Sequence, residues 1–184
     1  MADGLFYSDL RTPFLTVPPT AVTLAATDKA LYTVGHFPSL GNNYFGFPGK
    51  RVRIVIFGQM TTALTPGTGT FSIYYGTGAD ATGVVLAASA AQTLIASQTN
   101  QSWALDVVVE CLTIGATGTL RCTGLYDYTP AVVATGGGLL PASAPGASGA
   151  CDLTSANIIS VQYKRSGSTV ETMQVVRLDV IPLN

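Results

Sequence analysis

At 184 residues the chain is long enough for one all-β domain with a sizeable core, since chains of this size bury roughly 70% of their unfolded surface. Only 10% of residues are charged while 47% are hydrophobic, so much of the surface is neutral and suited to association more than to a free monomer. The formal net charge is -1 and the nine basic residues are scattered singly, which excludes a stripe able to track a phosphate backbone; no nucleic-acid partner is expected.

In chain order, MADGLFYSDLRTP lacks a basic start and an apolar h-region, so a secretory signal peptide is not expected. Residues 1–19 carry Phe6, Tyr7, Phe14 and Leu15 among Pro13, Pro18 and Pro19. The prolines deny this stretch a regular ladder while its aromatics need cover, so it reads as an extended N-terminal arm, lying either on its own domain or on a neighbouring subunit. Short strands are expected over Ala21 to Ala25 and Ala30 to Gly35, with Thr27, Asp28 and Lys29 as the turn.

Residues 36–50, HFPSLGNNYFGFPGK, are dense in Gly, Pro and Asn and form a loop that is unusually aromatic. Phe37, Tyr44, Phe45 and Phe47 either plug the end of the fold or present a contact patch to a partner. Arg51 to Gln59 has β-branched residues on both faces, which predicts a central strand covered on both sides. Phe71, Ile73 and Tyr75 alternate in the next strand between two glycine-rich turns, and Val84 to Ala88 and Gln92 to Ala96 are two further short strands.

Trp103 to Tyr128 is the organising stretch. Trp103, Leu105, Val107, Val109 and Cys111 fall on one face with Asp106 and Glu110 on the other, and Leu120, Cys122, Tyr126 and Tyr128 alternate likewise after GATG. With Gly115 to Gly118 as the loop of a hairpin, Ile114 opposes Thr119, Cys111 opposes Cys122 and Val107 opposes Tyr126; Glu110 then lies diagonal to Arg121. Such a long pair with one apolar side requires a second sheet to cover it. A disulfide between opposed cysteines would be strained, and three cysteines without a CxxC pair read as reduced thiols packed in the core: Cys111, Cys122 and Cys151.

The charge-free segment from residue 129 to 150 is broken by glycines and prolines, so it is no membrane span, and no membrane partner is expected. It is either a mobile surface loop or an extended segment threading over a neighbour, and its low charge favours the second. Asn157 to Lys164 and Thr169 to Ile181 predict a second hairpin around RSGS, with Val170, Thr172, Val176, Leu178 and Val180 inward. About ten strands with turns every eight to twelve residues predict an all-β, antiparallel, jelly-roll-like β-sandwich, residues 20–184 being one domain with an insertion at 129–150.

The chain offers little chemistry. His36 is the only histidine and no nucleophile motif accompanies it, so no Ser-His-Asp or Cys-His constellation is expected. Asp106 and Glu110 are the only spaced carboxylate pair and lie on an outward strand face, where polar alternation explains them. No His/Cys cluster fits zinc and no Asp/Asn spacing fits calcium; PGTGTF and GATGTL run into strands, not helices, and are turns, not phosphate cradles. Neither a cofactor nor a catalytic residue is expected.

TGTFSIYYGTGADATG, QSWALDVVVECLTIGATGTLRCTG and the closing VVRLDVIPLN resemble the small β-rich virion proteins of tailed bacteriophages, above all the head decoration, or cement, proteins. The resemblance covers roughly residues 68 to 128 and the last strand and rests on turn-and-strand patterns, with no fingerprint residue. It implies a jelly-roll-like subunit, commonly trimeric, made in the host cytoplasm and bound to the outside of the major capsid protein shell, where it staples neighbouring capsomers. On the residues themselves, Phe6, Tyr7, Phe14, Leu15, Tyr44, Phe45 and Phe47 are the candidate partner-binding side chains. The alternative is a phage fibre or tail-associated receptor- or carbohydrate-binding module, with Trp103, Tyr44 and Phe45 stacking on sugar rings.

Overall fold

A computed structural model describes residues 20–32, 39–129, 132–133, 136–167 and 169–183. Twelve strands run in chain order: β1 (Val22–Thr23), β2 (Lys29–Ala30), β3 (Ser39–Leu40), β4 (Arg51–Thr61), β5 (Thr68–Gly76), β6 (Val84–Ala88), β7 (Gln92–Thr93), β8 (Gln101–Thr113), β9 (Thr119–Tyr128), β10 (Gly138–Leu140), β11 (Asn157–Arg165) and β12 (Thr172–Pro182). They form two sheets, and every pairing is antiparallel. The first sheet has the order β1-β12-β4-β8-β9-β10; the second has β2-β11-β5-β6, with β3 also on β11 and β7 also on β5. No helix occurs among the described residues. The expected arm at residues 1–19, with His36 and Phe37, lies outside the described residues.

The inner faces of the two sheets meet on one core. At its centre Phe71 of β5 lies 4.8 Å from the Tyr163 ring of β11, and 5.3 Å and 5.7 Å from Trp103 of β8 and Tyr126 of β9. The Tyr128 hydroxyl of the first sheet donates to the Tyr163 hydroxyl of the second at 3.1 Å, so the aromatic layer carries a hydrogen bond between the sheets. Two glycines make room for these rings. A Cβ on Gly58, which pairs directly with Trp103, would stand 2.4 Å from the indole ring, and one on Gly69 would stand 1.6 Å from the Tyr163 hydroxyl.

The long hairpin forms, but two residues out of the expected register. Cys111 pairs with Leu120, Val109 with Cys122, Val107 with Gly124 and Leu105 with Tyr126. The loop closes at Thr113 and Thr119, one residue longer than expected, and a bulge between Cys111 and Thr113 adds a second. Two shifts of one restore the parity, so the apolar faces still coincide although no individual pair was expected. Glu110 lies directly opposite Arg121, and their ion pair is 2.5 Å long.

Several expectations are corrected. Arg51 to Gln59 is central in its sheet, between β12 and β8, but it is covered on one face only: Arg51, Arg53 and Phe57 are exposed. The strands covered on both faces are β5 and β11, buried throughout Phe71–Tyr75 and Ile158–Tyr163. The connection Thr77–Gly83 folds over their outer side, where Gln162 accepts from the Ala81 amide and donates to the Ala79 carbonyl at 2.7 Å and 3.0 Å.

The second expected hairpin does not exist, because β11 pairs with β5 in one sheet and β12 with β4 in the other. Its turn is a crossover between sheets. Arg165 and the fully buried Glu171 hold it, with Nε 2.9 Å from the carboxylate, while the Nε–H donates to the Leu24 carbonyl at 3.0 Å and Thr169 donates to the carboxylate at 2.8 Å. Likewise the expected turn before β2 carries the chain from β1 in the first sheet to the second.

Inward residues on β12 are Met173, Val175, Leu178 and Val180, whereas Val170 and Val176 are exposed and Thr172 points outward with its partner Thr61. A bulge between Val175 and Arg177 inserts Val176 and reverses the alternation, so the expectation holds only beyond it.

The described part of the 129–150 insertion is fastened to its own body. Val132, Val133 and Leu140 are buried, and β10 pairs with β9. The Ala142 amide then bonds to Ala88 of β6 in the second sheet, and the Ser148 amide to Leu120 of the first, which ties the two sheets together along this edge.

Candidate functional site

The aromatic loop of residues 39–50 is built at the end of the sheets where β4 begins and β8 ends. A tight turn returns the Tyr44 amide to the Gly41 carbonyl at 3.0 Å, with Asn43 in the left-handed region at φ 56. Reciprocal 2.8 Å bonds, Gly49 amide to Cys111 carbonyl and Cys111 amide to Lys50 carbonyl, then fasten the loop to β8. The Cys111 thiol faces the Phe45 carbonyl at 3.8 Å.

This frame separates the three expected contact residues. Phe45 is buried, edge-on to Tyr44 at 5.1 Å and to Tyr75 at 6.2 Å, and with Leu40 it plugs the end of the core. Tyr44 is half-buried against that core, while Phe47 is 48% exposed. The Lys50 ammonium stands 4.5 Å from the Tyr44 ring centre and 5.6 Å from that of Phe47, so a cation occupies the aromatic faces. Phe45 therefore plugs the core, while Phe47, two residues on in the same loop, is exposed. Phe6, Tyr7, Phe14 and Leu15 lie outside the described residues.

Trp103 is 2% exposed and Phe45 1%, so neither offers a face to a sugar ring, and Tyr44 offers one already shared with Lys50. Ile114, at the tip of the β8–β9 hairpin, is 53% exposed at the same end. The described residues of this end can supply apolar contact and one ammonium.

The three thiols are free and buried, and burial raises all of them, Cys122 to about 12, away from the thiolate a nucleophile needs. Burial likewise raises the Tyr163 and Tyr128 hydroxyls. Asp106 bonds Arg53 across β8 and β4, with Nε to Oδ1 at 2.8 Å, and Glu110 bonds Arg121, so each of the spaced carboxylates is held by its own arginine. Among the described residues no group of three or more His, Cys, Asp or Glu side chains could hold a metal ion, and no helix is long and apolar enough to cross a membrane.

One feature escaped sequence reasoning: the outward face of the first sheet, where Phe57, Leu125 and Val176 are each about half exposed and Leu139 is 74% exposed. Phe57 sits in a run of alternating apolar residues, and its outward direction depends on which parity faces the core. Comparison with protein-family models, characterised proteins and solved structures finds no match.

Proposed function

We propose that this chain is a structural virion protein of a tailed bacteriophage, a jelly-roll-like decoration subunit that binds the outside of the major capsid protein shell as a trimer and stabilises capsomer contacts. The observation that carries the reading is the distribution of apolar surface: Phe47 and Ile114 at one end, Leu64 and Val170 on loops at the other, and Phe57, Leu125, Leu139 and Val176 on one sheet face, all at least 46% exposed. A body with so few charges and so many exposed apolar side chains is suited to a surface that supplies many partners, where avidity multiplies weak contacts. The protein is not an enzyme on this reading, and its conformational fastenings serve rigidity. The fibre or tail alternative loses two of the three side chains on which sugar stacking was to rest.

The test is occupancy on particles. Cryo-microscopy should find the protein in many symmetric copies on the shell exterior, and particles stripped of it should rebind the purified chain. Removing residues 1–15 should leave the melting temperature near that of the full chain, because the two sheets of the described residues are built from strands that begin at Val22. If each buried apolar side chain contributes roughly 1.5 to 3 kcal/mol, losing Phe6, Tyr7, Phe14 and Leu15 should weaken each attachment by orders of magnitude. Copies confined to a tail tip would instead establish the receptor-binding reading. Full occupancy by the truncated chain would show that residues 1–15 make no contact with the shell.

A further inference from the structure

The exposed face of the first sheet is divided by charge along a line parallel to its strands. On the β12–β4 half the outward charged side chains are Arg51, Arg53, Arg177 and Asp179, three cations against one anion. On the β8–β9–β10 half they are Asp106, Glu110, Asp127 and Arg121, three anions against one cation. Both halves also carry apolar contact residues: Val55, Phe57 and Val176 on the first, Val108, Leu125 and Leu139 on the second. Within one chain Arg53 pairs with Asp106 across the halves, Arg177 pairs with Asp179 at 2.7 Å inside the first and Arg121 with Glu110 at 2.5 Å inside the second, which leaves Arg51 on the first half and Asp127 on the second with no ion pair among the described residues.

We infer that this face is the contact between copies of the chain, the cationic β12–β4 half of one copy turned toward the anionic β8–β9–β10 half of the next with strands running the same way. The inference rests on the trimeric reading above, to which it adds the surface and its polarity. Complementary halves on a single face favour a second copy, because each half is already matched to the other and no foreign partner need supply the opposite charge. Parallel strands keep the rows level. Asp127, Ala104, Phe57 and Arg177 form one row, so Arg177 at one margin meets the neighbour's Asp127 from the other.

The test is charge reversal in the full chain, read by sedimentation and light scattering over a concentration series. Asp127→Arg alone and Arg177→Asp alone should each weaken association at least about 30-fold, since like charges then face each other at every junction. The double variant should regain association, because its halves match again with the signs exchanged. Leu139→Lys, on a 74% exposed side chain of an edge strand, should weaken association without lowering the monomer's melting temperature. A trimer indifferent to all four variants overturns this interface and leaves the trimeric reading standing. A dimer that obeys the reversal pattern keeps the interface and overturns the trimeric reading. A wild-type chain that stays monomeric at every soluble concentration overturns both.

Discussion

Gly58 and Glu171 hold positions that chemistry decides almost alone. An added methyl on Gly58 would meet both the indole of Trp103 and the Gln174 carbonyl at 2.4 Å, and neither backbone nor a buried ring yields cheaply. Gly58→Ala should therefore cost about 1 to 3 kcal/mol, or about 2 to 4 °C of melting temperature per kcal/mol. Gly146→Ala, where nothing lies within 4 Å, is the control and should leave the melting curve unmoved. Glu171 is fully buried beside Arg165, whose side chain is 11% exposed, so deleting the carboxylate strands a guanidinium away from water. Glu171→Ala should cost about 3 to 5 kcal/mol in urea denaturation, and a double change to Arg165→Met with Glu171→Leu should recover much of it. A double variant no more stable than the single one would show that the pair acts through its bonds to Leu24 and Thr169, not through its charge.

At the scale of elements, the insertion and the bulges decide more than the long strands do. The segment after β9 has the composition of a free linker, yet Leu140 is 1% exposed and the amides of Ala142 and Ser148 bond to opposite sheets. Leu140→Ala should therefore lower stability by about 2 to 5 kcal/mol, as a core truncation does, measurable as a shift in the urea midpoint. No more than a few tenths of a kcal/mol would return the segment to the status of a surface loop. Bulges act through parity. The one inserting Val176 turns the side chains before and after it to opposite faces, and the one between Cys111 and Thr113 acts with a longer loop to shift the hairpin by two. An odd total of such shifts inverts a face, and an even total conceals itself.

The whole molecule should be sensitive to alkali. Burial pushes the Cys122 thiol up to about 12 from 9.0. It also pushes the Tyr74 and Tyr75 hydroxyls up to about 12 from 10.0, Tyr74 aided by its bond to Asp28. Each raised acid stays neutral in the folded state while the unfolded chain ionises at the ordinary value, so unfolding releases protons. Their stabilising effect is complete below pH 9 and is lost as pH rises toward 12. The urea midpoint should hold steady from about pH 7 to 8.5 and then fall through about pH 11. A flat midpoint across that range would mean that these groups reach solvent.

What the sequence by itself determined is what local alternation encodes. Trp103, Leu105, Val107, Val109 and Cys111 face inward because a period of two aims every second side chain at one side, whatever the partner strand. The all-β class and the buried thiols follow from such short-range rules, whereas the division of the aromatic loop into a buried Phe45 and an exposed Phe47 does not. Partnership between strands is different, because it is settled by which surfaces can be covered together. RSGS is a turn on either reading, and only the packing of β11 against β5 and of β12 against β4 makes it a crossover between sheets. Arg51 to Gln59 carries apolar residues on both sides, and Phe57 faces outward because no loop among the described residues covers β4 as Thr77–Gly83 covers β5 and β11. The charge division of that outer face arises the same way: Arg51 and Arg177 are 126 positions apart, and antiparallel pairing of β4 with β12 is what places them on one half. Residues distant in the chain become one surface only when burial elsewhere has chosen the strand order.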